Sequence, residues 1–428
     1  MRIGIVATRL AGVDGVTFEA AKWEHVLEGM GHVVHSCAGE IDALRPKARL
    51  VPAMHFTYPQ AARVTAAAFD PDSDPTAVRA EVERLAGLLT PVLSDWVAAR
   101  QIELLLVENA WAIPMQLPLG IALRRLVEES GTPAIGHHHD YWWERERFAE
   151  CVVPEILEQA FPPDLPQIRH ISINSLAAAE LKRRRGIVSK VIPNVFDFDT
   201  PRPRRSAAVR RRLRHELGMN ERGLLIVQPT RVVPRKGIEL AIELVGRLED
   251  PDAVLLITSP AGDEGLDYLV GLERQAEKAG VRLRYAADRF VPDDLEGQPI
   301  RPAHSLHDAY LAADLITYPS LYEGYGNALL EALFYGVPVL VNRYPVYVAD
   351  IEPLGLKLIE IDGAITDATV AEVKAILASP DRKRAWARHN FEIAQKHLSY
   401  RVLRRRLGKL VRELTPDAVD RDGAPETE

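Results

Sequence analysis

The chain of 428 residues has only two cysteines, Cys37 and Cys151. Two thiols exclude a disulfide framework and a thiolate metal cluster, and they fit a reducing compartment. Long apolar runs are missing too. No stretch approaches the length of about 18 apolar residues that a membrane span requires. The opening MRIGIVATRL gives way to Ala11, Gly12 and Asp14 too soon for the core of a secretory leader. Nor is there surplus positive charge, since 53 Lys and Arg face 60 Asp and Glu, a formal net charge of -7. The molecule as a whole therefore has no attraction for nucleic acid or anionic membrane, and any phosphate must be held by a local basic cluster. No internal repeat stands out. What remains, 47% hydrophobic and 26% charged residues, describes a globular cytoplasmic enzyme or binding protein, long enough for two or three domains.

Short β-branched runs alternate with longer amphipathic stretches. RIGIVAT leads into a helix over 17–30 and IELLLVEN into one over 116–129, with PAIGHHH and IRHISIN following. Strands that are apolar throughout, each followed by a helix, mark parallel βα units covered on both faces. The rhythm breaks at the arginine-dense RPRRSAAVRRRLRHELG and resumes with GLLIVQPT, AVLLITSP, VRLRYAA, DLITYPS, PVLVNRY and LKLIEID. The pattern predicts two doubly wound α/β domains of similar size, joined near 195–205. Residues 399–414, SYRVLRRRLGKLVREL, form a basic amphipathic helix on which Val402, Leu403, Leu407, Leu410 and Val411 share a face. Its arginines read as solvated, or as part of a helix docked on its own protein, before they read as a nucleic-acid surface. The tail from Thr415 lacks an apolar face, and disorder is expected there.

Ligands of a parallel sheet sit beyond the carboxyl ends of its strands, so the polar residues that fall there matter most. In QPTRVVPRKGIEL, Arg231 and Lys236 flank the loop between a strand and a helix that begins near Gly237. Two cations beside a helix N-terminus suit a diphosphate, although surface Arg and Lys are more often simply solvated. In DLITYPS-LYEGYGN-ALLEALFYG, Glu323 lies on the loop and Glu331 about one turn inside the helix, which Gly336 and Pro338 end. Gly324 and Gly326 let the backbone approach a ligand closely. A carboxylate on each element can take two hydroxyls, as sugar and ribose would need. The bland alternative is a capping carboxylate and an exposed helix Glu, which does not require the glycines.

In GHHHDYWWERERF, residues 136–148, adjacent strand residues point to alternate faces, so three contiguous histidines do not converge on one ion without a turn. No metal site is expected. Trp142, Trp143, Glu144 and Arg145 suit a pocket for a small hydroxylated acid, or else aromatic packing between domains. Gly12 and Gly15 follow the first strand, but not as GxGxxG, and Asp14 is a poor neighbour for a pyrophosphate. A dinucleotide oxidoreductase is disfavoured.

Arg231 and Lys236, followed about ninety residues later by Glu323-x7-Glu331, resemble the donor-site signature of retaining glycosyltransferases of family 4. VIPNVFDFD, SLHDAYLAADLITYPS and HLSYRVLRRRL are similar to further segments of that family, in the same order. GHHHDYWWERERF with VENAWAIPMQLPLG resembles the branch that makes small-molecule glycosides, of the mannosylglucosylglycerate-synthase type. The resemblance implies an α/β protein of the GT-B fold, with two Rossmann-like domains facing a central cleft and a C-terminal helix crossing back to the first. The expected bounds are 1–198 for the acceptor-side domain, 199–395 for the donor domain, 396–414 for the returning helix and 415–428 for the tail.

Residue by residue, it implies catalytic roles for His139, Arg231, Lys236 and Glu323. Arg231 and Lys236 would hold the diphosphate, Glu323 the sugar hydroxyls and Glu331 the ribose, with Gly12, Gly15, Gly324, Tyr325, Gly326, Asn327 and Ala328 completing the donor site. Glu108, Asn109, His138, His139, Asp140, Trp142, Trp143 and Arg145 would face the acceptor, and the active-site histidine is either His138 or His139. Asn327 departs from the family's usual EGFG followed by an aliphatic pair, which bears on donor-sugar preference. The implied reaction moves a hexose from a GDP-mannose or UDP-glucose type donor to a small soluble acceptor such as glucosylglycerate. No cofactor is obligatory and magnesium is optional. Neither nucleic acid nor membrane is an expected partner, and homo-oligomerisation is open. The rival expectations are a nucleotide-sugar epimerase of the same architecture, a transferase with a lipid or polysaccharide acceptor, and a non-catalytic hinged sugar-binding protein.

Overall fold

A computed structural model describes residues 1–12, 15–42, 45, 48–203, 207–220, 222–261, 266–291 and 304–415. Asp14 and the tail from Pro416 lie outside the described residues. Thr415, expected to begin that tail, still closes onto the last helical turn, its N–H 3.0 Å from the Val411 carbonyl.

The chain divides into two compact units. The first comprises Met1–Asn194 with the residues from Tyr400 on, and the second runs from Val195 to Ser399. In the first, β1 (Arg2–Ala7), β2 (Val33–Ala38), β3 (Arg49–Leu50), β4 (Leu104–Glu108), β5 (Ala134–His138), β6 (Ile168–Ser172) and β7 (Ser189–Val191) form one sheet in the order β3-β2-β1-β4-β5-β6-β7. Every pairing in it is parallel. The residues of β4 and β5 are buried throughout, as a sheet covered on both faces demands. The chain winds outward from β1 in one direction and then the other, so the order reverses between β1 and β4. That reversal is where an open α/β sheet offers a ligand crevice. The register sets Ala7 opposite Glu108 and Glu108 opposite His137, which places polar groups side by side at the carboxyl ends of β4 and β5.

The second unit repeats the plan. Its sheet contains β8 (Leu225–Gln228), β9 (Val254–Ile257) and β10 (Arg282–Tyr285). A separate two-stranded pair, β11 (Phe290–Val291) with β12 (His304–Ser305), intervenes before β13 (Leu315–Tyr318), β14 (Val339–Asn342) and β15 (Ile359–Ile361). The order is β10-β9-β8-β13-β14-β15, with the reversal between β8 and β13. β8, β9, β13 and β14 are each buried at every position.

The helix Tyr400–Leu414 belongs to the first unit. Val402, Leu403, Leu407, Leu410 and Val411 are all buried, each worth roughly 1.5–3 kcal/mol of transfer free energy before ordering costs. Its polar residues are partly used within the protein, since Arg406 donates to the Val191 carbonyl at 2.7 Å and Glu413 pairs with Lys190 of β7.

Candidate functional site

In the second unit, β8 ends at Gln228 and the chain turns through a short 3-10 segment, Pro234–Lys236, into the helix Ile238–Leu248. Gly237 makes this junction at φ +59, and a Cβ there would lie 2.4 Å from the Pro319 carbonyl oxygen. Only glycine lets the loop after β8 press against the loop after β13. The contact brings Lys236 and Glu323, 87 positions apart, into a direct ion pair in which both side chains are about nine-tenths buried. Arg235 adds a second contact, its Nη1 3.3 Å from Glu323 Oε2 and 3.2 Å from the Tyr322 carbonyl. Burial alone would raise the Glu323 carboxyl, but Lys236 and Arg235 hold it below the usual carboxylate range. Burial pushes the Lys236 ammonium down, Glu323 opposes this, and the charges of Arg235 and Arg231 add to the fall. Arg231 is thus close enough for its charge to be felt at Lys236. Two cations contact one carboxylate and the charge of a third, Arg231, reaches Lys236, leaving a local surplus of positive charge that suits a doubly charged anion.

Beneath this cluster, Lys236 Nζ sits 5.9 Å from the centroid of the Tyr318 ring. The loop then bends at Gly326, φ +128, where a Cβ would lie 3.0 Å from the hydroxyls of both Tyr318 and Tyr344. Tyr344 donates to the Tyr325 carbonyl at 2.6 Å and so ties down the turn. The helix Asn327–Tyr335 starts directly afterwards and ends at Gly336. Glu331, one turn in, is held by the Tyr310 hydroxyl at 2.6 Å, and the same hydroxyl lies 3.3 Å from the Ala328 carbonyl. The carboxylates of Glu323 and Glu331 thus have different partners. Gly324 and Tyr325 form the bend between them, with Tyr325 buried.

In the first unit, the polar cluster lies where β4 and β5 end. Glu108 is 1% exposed. His137 Nδ1 lies 2.9 Å from its Oε1 and 3.1 Å from its Oε2, and His139 Nε2 lies 2.6 Å from Oε1. Burial would raise the Glu108 carboxyl, yet the two imidazoles bring it down to about 2. For His139 burial favours the neutral ring, but the bond and charge of Glu108 win and its pKa is raised. The alternation argument against convergence is therefore corrected in one respect. It separates His138 from its neighbours, but His137 and His139, two positions apart, share a side. Glu108, His137 and His139 offer ligand atoms all within 4.8 Å of one another. A divalent cation that accepts nitrogen ligands could bridge that spacing; the direct hydrogen bonds already satisfy the same atoms.

His138 points the other way. Its Nε2 lies 2.8 Å from His170 Nδ1, and His170 Nε2 lies 3.0 Å from the Pro163 carbonyl. A carbonyl can only accept, so His170 carries its proton on Nε2 and receives one from His138. Burial keeps both rings neutral, His170 down to about 4 and His138 well below its ordinary value. His138 is fully buried, so of the two candidate histidines only His139 joins the Glu108 cluster.

Asn109 adopts a left-handed φ of 54 and accepts from the His139 N–H at 3.0 Å. Its Nδ2 reaches Asp140 at 3.4 Å, and Arg145 Nε donates to Asp140 at 2.8 Å. Trp142 donates to the Phe161 carbonyl at 3.1 Å, and Trp143 stacks on Tyr141 at 4.7 Å. Both tryptophans are half-buried in contacts of the first unit. Gly12 turns at φ +78, its N–H 3.3 Å from Asp42 Oδ1, and Gly15 opens the helix Gly15–Gly29.

Arg235, His137, Tyr318, Tyr344 and Tyr310 were not singled out from sequence. Arg235 adjoins Lys236, and His137 begins the histidine run, so both had a local signal. The tyrosines come from separate elements and had none.

Two doubly wound parallel sheets, one with cations gathered round a buried carboxylate at its switch point, are the parts of a GT-B glycosyltransferase. Residues 209–391 match the family model for glycosyl transferases group 1. The mannosylglucosylglycerate synthase of Thermotoga maritima is 33% identical, the alignment covering 97% of this chain and 100% of that protein. The protein of the same name from Petrotoga mobilis is 32% identical over 84% of this chain and 86% of its own. Anabaena HepE, solved with UDP and glucose, superposes with a TM-score of 0.67 at 14% identity, covering 96% of this chain and 100% of its own. At that identity the likeness is one of fold. The chain belongs to the group 1 glycosyltransferases, in the branch that contains the mannosylglucosylglycerate synthases.

Proposed function

We propose that this glycosyltransferase moves a hexose, with retention of anomeric configuration, from a GDP-mannose or UDP-glucose type donor to a small soluble hydroxylated acid, glucosylglycerate or a related glycerate glycoside. The observation that carries the donor half is the buried Lys236–Glu323 pair with Arg235 beside it and the charge of Arg231 within reach. In this reading Arg231 and Lys236 hold the diphosphate and stabilise it as it leaves. Glu323 accepts from sugar hydroxyls, Glu331 from the ribose, and the bend from Gly324 to Ala328 approaches the donor closely. Catalysis is then mostly leaving-group stabilisation and positioning. The donor carries its own activated phosphate, so neither glutamate has to act as a covalent nucleophile. The relatives named for mannosylglucosylglycerate synthesis support the acceptor half. The first unit supplies that side, with His139, Asn109, Asp140 and Arg145 toward the acceptor.

The test is a panel of nucleotide-sugars incubated with glucosylglycerate, with and without a chelator. Nucleoside diphosphate release is measured, and the anomeric configuration of the product is read by NMR. An α-linked product from an α-linked donor supports the reading. Conversion of the donor without acceptor would mean an epimerase, and label appearing in a lipid extract would replace the soluble acceptor.

A further inference from the structure

Glu108 is a buried charged group at the carboxyl end of the first sheet, and both its oxygens are already engaged. An ionised carboxylate only accepts, so His137 Nδ1 and His139 Nε2 must each carry a proton toward it. His139 is therefore held at two points. Its ring bonds to Glu108 at 2.6 Å, and its backbone N–H bonds to Asn109 Oδ1 at 3.0 Å. Asn109 is itself fixed, since its N–H donates to the His137 carbonyl at 2.8 Å. On the far side of the carboxylate, His137 stacks on Trp23 with ring centroids 4.1 Å apart. Trp23 is 1% exposed, so it gives His137 little room to move. The nitrogen of His139 left over from this arrangement is Nδ1.

We propose that Glu108 is a positioning residue for sugar transfer: clamped by His137, it orients the His139 ring so that the Nδ1 edge is the one offered to substrate. This rests on the reading of His139 as a substrate-facing group, and it moves Glu108 from the acceptor pocket to a position behind that group. A buried carboxylate that fixes the ring orientation and tautomer of a working imidazole acts through the imidazole alone. Loss of Glu108 should therefore affect the chemical step more than binding.

The experiment uses the full chain with the donor and acceptor found active. Glu108→Gln keeps the volume but removes the negative charge and replaces one acceptor oxygen with a donor amide, which weakens the hold on both imidazoles. The expected result is a fall of about 10- to 100-fold in kcat, with both KM values within about threefold. His139→Asn should fall at least as far, and the double variant no further than His139→Asn alone, as expected for residues acting as a unit. An independent reading comes from 15N-labelled histidine. The His139 signal, identified by its loss in His139→Asn, should show Nε2 protonated in the wild type and should shift in Glu108→Gln.

If Glu108→Gln lowers kcat equally in the His139→Asn background, Glu108 acts on its own and the proposal falls. If His139→Asn loses activity while Glu108→Gln keeps it, the proposal falls and the role of His139 stands. If His139→Asn is fully active, the reading of His139 falls first and the proposal with it. Recovery of about one equivalent of a transition metal from the purified protein, lost in His137→Gln, would replace the clamp with a metal site.

Discussion

Glu108 ends β4, next to the strand-order reversal of the first sheet, and Glu323 follows β13, next to the reversal of the second. Both are buried, and both are kept ionised by cationic or hydrogen-donating partners. The partners differ in kind. Glu108 lies between two imidazoles, each donating to it through one ring nitrogen. Glu323 lies between an ammonium and a guanidinium, and a guanidinium stays charged at any pH a protein meets. One frame thus carries two electrostatic designs. The second unit offers lasting positive charge, as a diphosphate needs, whereas the first offers groups whose proton and orientation are set by their neighbours.

The sharpest way to break the comparison is Lys236→Met. It would leave Glu323 buried with Arg235 as a partner at 3.3 Å, and breaking a buried pair from one side typically costs about 3–5 kcal/mol. Turnover should fall by about 10²- to 10³-fold, the scale of losing one preorganised charge-stabilising donor. The urea midpoint should drop in parallel. A variant with normal stability and turnover would mean that the pair supports neither folding nor catalysis. Arg231→Ala tests the same cluster without exposing Glu323. It should lower kcat/KM by roughly 2–5 kcal/mol, about thirtyfold or more, if Arg231 meets a desolvated phosphate. An effect under tenfold would remove Arg231 from the donor site.

How much of this was legible beforehand differs between the two regions for a physical reason. In the second unit the pairing residues follow strands that are mostly apolar and buried end to end, so DLITYPS and GLLIVQPT announce themselves and the loops after them can be searched. The Lys236–Glu323 approach is non-local, but glycines at both loops signal close backbone contact. In the first unit, β2 was missed because His35 and Ser36 interrupt VVHSCA, and β3 is only two residues long. The partition of the histidines depends on strand register. Alternation puts His138 opposite to His137 and His139, but that Glu108 lies beside the latter pair follows from the β4–β5 register, which no local pattern encodes. The tyrosines around Gly326 and Glu331 are likewise brought in by tertiary packing.

The imidazole side of the comparison predicts a pH dependence. His170 has a folded pKa of about 4, below the unfolded value near 6.5. Between these values the unfolded chain binds the extra proton, so stability rises with pH through the window. The contribution is complete above about pH 6.5 and is lost as the pH falls toward 4, amounting to on the order of 3 kcal/mol for this ring. His138 is also depressed and acts in the same direction. His139 is raised, so its contribution is present below about 6.5 and lost as the pH climbs through its folded value. Five of the six tryptophans, at 23, 96, 111, 142 and 143, belong to the first unit, so urea unfolding followed by tryptophan fluorescence reports mainly on it. The midpoint should fall between pH 7 and pH 5, and His170→Gln should flatten that fall. An equal fall in the variant would assign the acid sensitivity to other groups.

The smallest expected effect tests whether Glu331 belongs to the donor site at all. Tyr310→Phe removes the hydroxyl that donates to Glu331 at 2.6 Å. It keeps the ring, which stacks on Tyr335 with centroids 5.0 Å apart. Core packing should therefore be preserved, and the change removes the short hydrogen bond to Glu331, worth about 1.5–3 kcal/mol at most, together with the longer contact to the Ala328 carbonyl. Water can partly replace the hydroxyl because Glu331 is only half-buried, which brings the expected rise in donor KM to about three- to tenfold with little change in kcat. A loss confined to KM is what uniform binding of the nucleoside end predicts, because the ribose lies away from the bond being broken. A fall in kcat with KM unchanged would put Glu331 nearer the transferred sugar and merge its role with that of Glu323. If neither parameter moves while Glu331→Ala is equally silent, the second glutamate is a helix-surface residue. The permanent-charge cluster would then consist of Arg231, Arg235, Lys236 and Glu323 alone.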